Sequence, residues 1–220
     1  MKNIINLILI LSAFCFFQIS EVNAQDTNPE YIKVTLERAD KIVQTLVISD
    51  DAKKERVKQN IAKQYRNLSS LHDKQTARLD AEKKALKGSP EKWEKKKESL
   101  EKKSQKELNK LRKSFLSKLK KDLNDEQVTE VKNGLTYHVA PNTYQVYLEM
   151  LPDLTTDQKE FVKKNLEEAR EHAFMAGSSK DKHGWFGKYK GRINNYLASE
   201  GYNLKEASEI MEAKMREKNK

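Results

Sequence analysis

The stretch ALKGSPEKW, residues 85–93, interrupts a long helical pattern and decides the fold. Gly88 is typical of the position just after a helix, and the serine and proline that follow are typical of a cap and a first helical turn. No helix breaker occurs over residues 51–87, and the second pattern continues to about Asp122. Two long helices joined by so short a turn predict an antiparallel hairpin about 50 Å long.

The apolar seam of this hairpin is uneven. Near its base, each helix offers apolar residues at facing positions: Val57, Ile61, Tyr65, Leu68 and Leu71 on the first, and Leu108, Leu111, Phe115, Leu116 and Leu119 on the second. Toward the tip, polar residues take most of these positions, and the remaining anchors are Leu79, Leu86, Trp93 and Leu100. Because so thin a two-helix seam is weak in water, we expect a tip that moves or rests on a partner.

Positive charge is concentrated in the hairpin. The chain has 43 Lys and Arg against 33 Asp and Glu, a net charge of +10. Residues 50–122 contain 24 basic and 12 acidic residues, so the rest of the chain is slightly negative. Two interpretations stay open: a solvated helical surface, or a basic arm that attracts acidic polysaccharide, lipid headgroups or another polyanion. Nucleic acid is the least expected partner, because no recognition motif is present.

Residues 1–24 have the pattern of a cleavable export signal. A short basic start precedes an apolar run over residues 4–17, and small residues end at Ala24, after which we expect cleavage. The run is short for a membrane span. Phe14 occupies the place before Cys15 where a lipoprotein signal needs a small residue. We therefore predict a periplasmic or secreted protein with no transmembrane span after cleavage.

The remainder, residues 25–220, is predicted to be a single all-α domain. Cleavage removes the only cysteine, so the fold depends on its core alone. Four prolines and seven glycines are few for an all-β fold. The pattern predicts a compact helical body, formed by residues 28–49 and mainly by 123–215, from which the hairpin projects. Within it we expect a helix beginning at Ser49, a helix ending at Gly177 and a polar loop over residues 178–184.

Known catalytic and metal-binding patterns are absent from the sequence. There is no phosphate-binding glycine loop and no zinc-protease spacing. The histidines are scattered, at His72, His138, His172 and His183. Acidic residues are plentiful, but nothing singles out a glycosidase-like pair. We predict no catalytic residue, no metal and no cofactor, and we expect that the protein is not an enzyme.

The best candidate for a binding site is the stretch HGWFGKYKGRINNYLASEG, residues 183–201. Its rings can stack on sugars and its cations and amides can bind carboxylates and hydroxyls: Trp185, Phe186, Lys188, Tyr189, Lys190, Arg192, Asn195 and Tyr196. Its glycines would let a helix or ligand approach the backbone closely: Gly184, Gly187 and Gly191. The alternative is that the rings at helical spacing are packed core. Exposed rings would favour binding.

Two resemblances bear on function. WFGKYKGRINNYLASEGYNLKEA, with the export signal and the charged helical middle, resembles an exported bacterial family, domain of unknown function 3826. That resemblance implies a link to carbohydrate, since sugar binding has been suggested for the family, but it carries over no catalytic residue. LTTDQ at 154–158 and LNDEQ at 123–127 resemble the LTxxQ motif of Spy-type periplasmic chaperones, which act without ATP.

Three functions therefore remain open at the level of sequence. The first is non-enzymatic binding of carbohydrate, in particular acidic polysaccharide, linked to polysaccharide utilisation. The second is a Spy-like chaperone that holds clients on the hairpin. The third is an envelope adaptor whose hairpin at 50–122 docks a protein partner.

Overall fold

The computed structural model describes residues 28–218, and within that range the protein is all-α, with eight helices and no strand. The predicted export signal lies outside the described residues. None of the helices described is both long and apolar enough to cross a membrane. In chain order they are α1 (Pro29–Val43), α2 (Asp51–Ala85), α3 (Pro90–Leu119), α4 (Asp125–Leu135), α5 (Val139–Met150), α6 (Thr156–Ala173), α7 (Ser179–Ser199) and α8 (Leu204–Lys218).

Capping residues explain where several helices begin. Asn28 accepts hydrogen bonds from two backbone amides at the start of α1, whose first residue is a proline. Asn124 and Thr155 each form a complete capping box, with a glutamine three residues later, at the starts of α4 and α6. The resemblance of the 123–127 and 154–158 segments therefore has a local structural cause.

Helices α2 and α3 form the predicted hairpin, and its base is its only well-buried part. The buried residues of the base are Val57, Ile61, Ala62, Leu68, Phe115 and Leu119. No residue from Thr76 to Ser114 is buried. Across the upper seam, the Gln75 side chain donates to the Ser104 carbonyl at 3.3 Å and Lys96 pairs with Glu82 at 2.9 Å. The Lys96–Glu82 pair is partly exposed and contributes little stability, so the tip is held weakly.

Two apolar cores lie below the hairpin tip. The first joins α1, α4 and the hairpin base. The second joins α5, α6, α7 and part of α8, and its fully buried members include Val162, Leu166, Ile193 and Leu197. The connection from α6 to α7 is tied to the first core, because Phe174 and Met175 are buried in it. This connection therefore fixes the second group of helices against the side of the hairpin.

Three predicted boundaries are wrong. The cap of α2 is Asp50, not Ser49, since its carboxylate accepts from the Lys53 amide at 3.0 Å. Helix α6 ends at Ala173, before Gly177, because the following residues turn into the first core. The predicted polar loop at 178–184 is helical from Ser179 onward.

The helical start of α7 was not predicted because this polar segment buries a charged side chain. Ser178 caps α7 by accepting from the Asp181 amide at 3.1 Å, a short-range signal that the polar composition of the segment obscures. The next residue, Lys182, is only 5% exposed. A polar stretch that buries a lysine does not show the apolar periodicity by which a helix is recognised.

Candidate functional site

A cleft of about 400 Å³ lies where the hairpin base meets the start of α7. Helices α2 and α3 form one wall, and the end of α6, the α6–α7 connection and the start of α7 form the other. Its lining combines one large aromatic ring with amides and charged groups: His72, Gln105, Leu108, Asn109, Arg112, Glu171, His172, Met175, Ala176, Gly177, Asp181 and Trp185.

His72 joins the two walls. Its Nε2 lies 2.9 Å from the carbonyl oxygen of Met175. A carbonyl only accepts hydrogen bonds, so Nε2 must carry the proton and donate. The imidazole also packs on Gly177, where a β-carbon would come within 2.7 Å of the ring. The glycine therefore lets the hairpin approach the α6–α7 connection closely.

The floor of the cleft is an ion-pair network. The Glu171 carboxylate accepts from Arg112 at 2.5 Å and from Lys132 at 2.7 Å. Both cations also lie over the Phe174 ring, at 5.3 and 5.6 Å from its centroid. The two cations hold the Glu171 carboxylate in place, and the buried Phe174 ring supports both cations. Glu171 is therefore a paired carboxylate and not a free acid.

Trp185 supplies the one large aromatic ring of the cleft. Its ring stacks on the imidazole of His172, with centroids 4.3 Å apart and planes 13° from parallel. The ammonium of Lys188 lies 5.3 Å from the indole centroid. Since the imidazole occupies one face, we infer that the lysine shields the other. Lys188 is exposed and its side chain is flexible, so a ligand can displace it from that face.

The cleft contains groups that can bind a polyhydroxylated ring. Gln105 and Asn109 are exposed amides. The Gln105 side chain donates to Oδ1 of Asn109 at 3.2 Å, and the remaining donors and acceptors of the two amides are open to hydroxyl groups. Asp181 adds a carboxylate, although the Ser178 hydroxyl already donates to it at 2.6 Å. Among residues 28–218, no three histidine, cysteine or acidic side chains come close enough to hold a metal ion.

The predicted site residues do not share one surface. Phe186 and Tyr189 are 1% and 3% exposed and belong to the second core, so the core alternative holds for them. Tyr196 is half-buried, with its ring 4.0 Å from that of Phe161. Arg192 lies 4.7 Å over the Tyr189 ring and also pairs with an acid of α6. Only Trp185 lines the cleft, with Lys188 covering its ring.

The remaining predicted residues form the outer face of α7. Lys190 and Asn195 are exposed, as are the three glycines. No described atom lies within 4 Å of a β-carbon built at Gly184, Gly187 or Gly191. The expected close approach of another helix is therefore not found within the described chain, and the approach of a ligand stays a prediction.

Most of the cleft residues are not predicted by the sequence. Gln105, Asn109 and Arg112 come from α3, about 75 residues before Trp185, and only the packing of the hairpin brings them together. One signal was present. The seam of the hairpin becomes polar at His72, the residue that turns out to contact the α6–α7 connection.

Fold and site together define a helical protein with a basic hairpin and a polar, aromatic cleft at its base. The chain belongs to the family described as "Protein of unknown function (DUF3826)", whose profile matches residues 32–217. A comparison with curated proteins found no match.

Proposed function

We propose that this protein is an exported, non-enzymatic carbohydrate-binding protein that holds a sugar residue in the cleft beside Trp185. The observation that supports this most is the indole ring set among amides and charged groups in a cleft of about 400 Å³. Binding sites for small ligands combine an apolar surface with a few polar groups that fix orientation.

The ring supplies the apolar surface. The face of an indole is electron-rich, so the C–H groups of a sugar ring can pack against it. His172 backs the indole at 4.3 Å and holds it in place. The ligand packs against the part of the indole that lines the cleft, and the exposed ammonium of Lys188, 5.3 Å from the indole centroid, lies near enough to pair with a carboxylate of the ligand.

The preference for acidic polysaccharide comes from the surroundings of the cleft. Within it, Arg112 is already paired with Glu171, and Asp181 is a further acid. Along α3, above the cleft, Lys103, Lys106 and Lys110 are exposed and have no ion-pair partner among the described residues. A chain longer than the cleft would pass these lysines, and its carboxylates would be attracted by them.

The chaperone alternative has less support. A holding chaperone needs apolar surface for unfolded clients. The large apolar side chains that are exposed within residues 28–218 are scattered over different elements: Val47, Tyr137, Val146 and Ile210. The adaptor alternative docks a partner on the hairpin at residues 50–122. The upper part of that hairpin presents charge rather than apolar surface, so this alternative favours an acidic partner for the α3 lysines.

Isothermal titration calorimetry tests the proposal. The full exported chain is titrated with oligogalacturonate and with a neutral oligosaccharide of equal length. We expect binding of at least one, and loss of more than about tenfold in affinity for Trp185→Ala. Trp93→Ala is the matched control, because that tryptophan lies on the upper hairpin. No heat with any glycan, or equal losses for the two variants, contradicts the proposal.

A further inference from the structure

We infer that a second site, separate from the cleft, binds a sulfate, phosphate or carboxylate group where α1 and α2 meet the α4–α5 connection. A hollow of about 410 Å³ lies there. Its lining is basic and aromatic, with Arg38, Lys41, Ile42, Tyr65, Gly134, Tyr137 and His138. The inference goes beyond the proposed function and does not depend on it.

A buried lysine lies behind the aromatic wall of this hollow. Lys182 is 5% exposed, and its ammonium donates one hydrogen bond, at 2.8 Å, to the carbonyl of Leu135. It lies 5.5 Å from the centroid of the Tyr65 ring and 5.7 Å from that of Tyr137. Both rings line the hollow, so the positive charge is placed just behind its wall.

Two further cations, Arg38 and Lys41, line the same hollow, and neither forms an ion pair with an acid among the described residues. Arg38 lies over the Tyr65 ring at 6.0 Å, and Lys41 is one helical turn away. Among the described residues, no carboxylate lies within ion-pair distance of Arg38, Lys41 or Lys182. Burial, and next the charge of Arg38, lower the pKa of Lys182 to about 8. A bound anion would offset this repulsion.

The acid that contacts His138, at the edge of the hollow, already has other partners. Glu130 lies 2.7 Å from Nε2 of His138, and it also accepts from the Asn133 amide at 3.2 Å and from the Thr45 hydroxyl at 3.3 Å. It therefore contacts the histidine at the edge of the hollow and forms no ion pair with Arg38, Lys41 or Lys182.

Backbone strain supports a role for Tyr137. Helix α4 ends in a Schellman motif, since His138 N–H donates to the Asn133 carbonyl and Tyr137 N–H to that of Gly134. Tyr137 occupies the left-handed position that glycine usually takes, with φ of 59°, and His138 follows with φ of 54°. Glycine would avoid this cost. The ring instead stands half-exposed over Lys182 and stacks on His183 at 5.7 Å.

Titration of the full exported chain with sodium sulfate, sodium phosphate and sodium acetate tests the inference, with sodium chloride as the control salt. Calorimetry should show binding of at least one of the three oxyanions and none with sodium chloride. Arg38→Gln and Lys41→Gln should each weaken it about tenfold. Lys33→Gln removes the same charge from an exposed position elsewhere on α1 and should change it less than about twofold. No binding of any anion, or equal losses for all three variants, overturns the inference.

Two further variants separate a binding role from a structural one. Tyr137→Gly relieves the backbone strain and should leave the melting temperature unchanged or higher while anion affinity falls. Trp185→Ala should leave anion affinity unchanged, which distinguishes this site from the cleft. A Tyr137→Gly protein that binds anions as tightly as the wild type would contradict the role of the ring, and loss of anion binding in Trp185→Ala would contradict a separate site.

Discussion

The imidazole of His72 lies against Gly177, so closely that a β-carbon at residue 177 would come within 2.7 Å of the ring. His72 belongs to the hairpin and Gly177 to the α6–α7 connection. This contact, with the hydrogen bond from His72 to the Met175 carbonyl, fixes the width of the cleft. The proposed binding site therefore depends on a residue that has no side chain.

Gly177→Ala should destabilise the protein. The new methyl group would meet ring and β-carbon atoms of His72, which cannot move away without breaking the bond to Met175. Overpacking of this kind costs about 1–3 kcal/mol. Urea unfolding should show the loss in the free energy of unfolding.

Gly187→Ala is the matched control for Gly177→Ala. Gly187 lies inside α7, and no described atom lies within 4 Å of the point that a β-carbon at this residue would occupy. Alanine there should raise the free energy of unfolding by about 0.5–1 kcal/mol. If the two substitutions change the free energy of unfolding by the same amount, the contact with His72 does not explain why residue 177 is a glycine. If Gly187→Ala also weakens glycan binding, the outer face of α7 takes part in it.

Phe186→Ala and Trp185→Ala should differ sharply, although the residues are adjacent. Phe186 is 1% exposed in the second core, and its loss should cost about 3–5 kcal/mol. Trp185 is half-buried at the cleft, and its loss should cost about 1–2 kcal/mol. Thermal or urea unfolding of both variants checks this. A larger cost for Trp185 would mean that the indole is mainly a structural residue.

The burial of Lys182 predicts a pH dependence of stability. Its folded pKa of about 8 lies below the value of about 10.4 for an exposed lysine. Between these values the unfolded chain binds a proton that the folded chain lacks, so the free energy of unfolding should rise with pH. Relative to Lys182→Met, the wild type should gain about 2 kcal/mol between pH 7 and about pH 9.5.

Arg38, Tyr65 and Tyr137 surround this ammonium and are unchanged in the Lys182→Met control. Burial raises the pKa of Tyr65 to about 12, which acts in the opposite direction only above about pH 10. If the free energy of unfolding changes with pH in the same way in the wild type and in Lys182→Met, the ammonium is not held in a desolvated position.

The upper hairpin should open far more readily than its base. Residues 76–103 contain no buried side chain, whereas Val57, Ile61 and Leu68 are at most 4% exposed. Native-state hydrogen exchange should therefore show weak protection of backbone amides over 76–103 and strong protection over 57–68. Uniform protection along α2 would mean that the seam contributes more than its composition predicts.

Local signals were enough to predict much of the fold. Gly88 and Pro90 mark the turn between the two helices of the hairpin, and Thr155 with Gln158 marks the start of α6. These signals act through backbone sterics and hydrogen bonds within a few residues, which a sequence displays directly. The start of α7 was missed because its decisive feature, the burial of Lys182, depends on rings from α2 and the α4–α5 connection.

The candidate site was predictable only in part. The aromatic and basic composition of residues 183–201 drew attention to Trp185, but composition does not tell which rings face inward. Phe186 and Tyr189 follow the buried side of α7, and the glycines follow its exposed side. The cleft partners on α3 could not be predicted, because they depend on how the hairpin packs against the α6–α7 connection.

Fluorescence of Trp185 during glycan titration tests the central claim most directly. Trp93→Phe leaves Trp185 as the only tryptophan, because the chain has two. We predict a saturable change in its emission with oligogalacturonate, at the concentrations at which calorimetry detects binding. An unchanged emission while calorimetry shows the glycan bound would place the ligand elsewhere and contradict the assignment of the cleft.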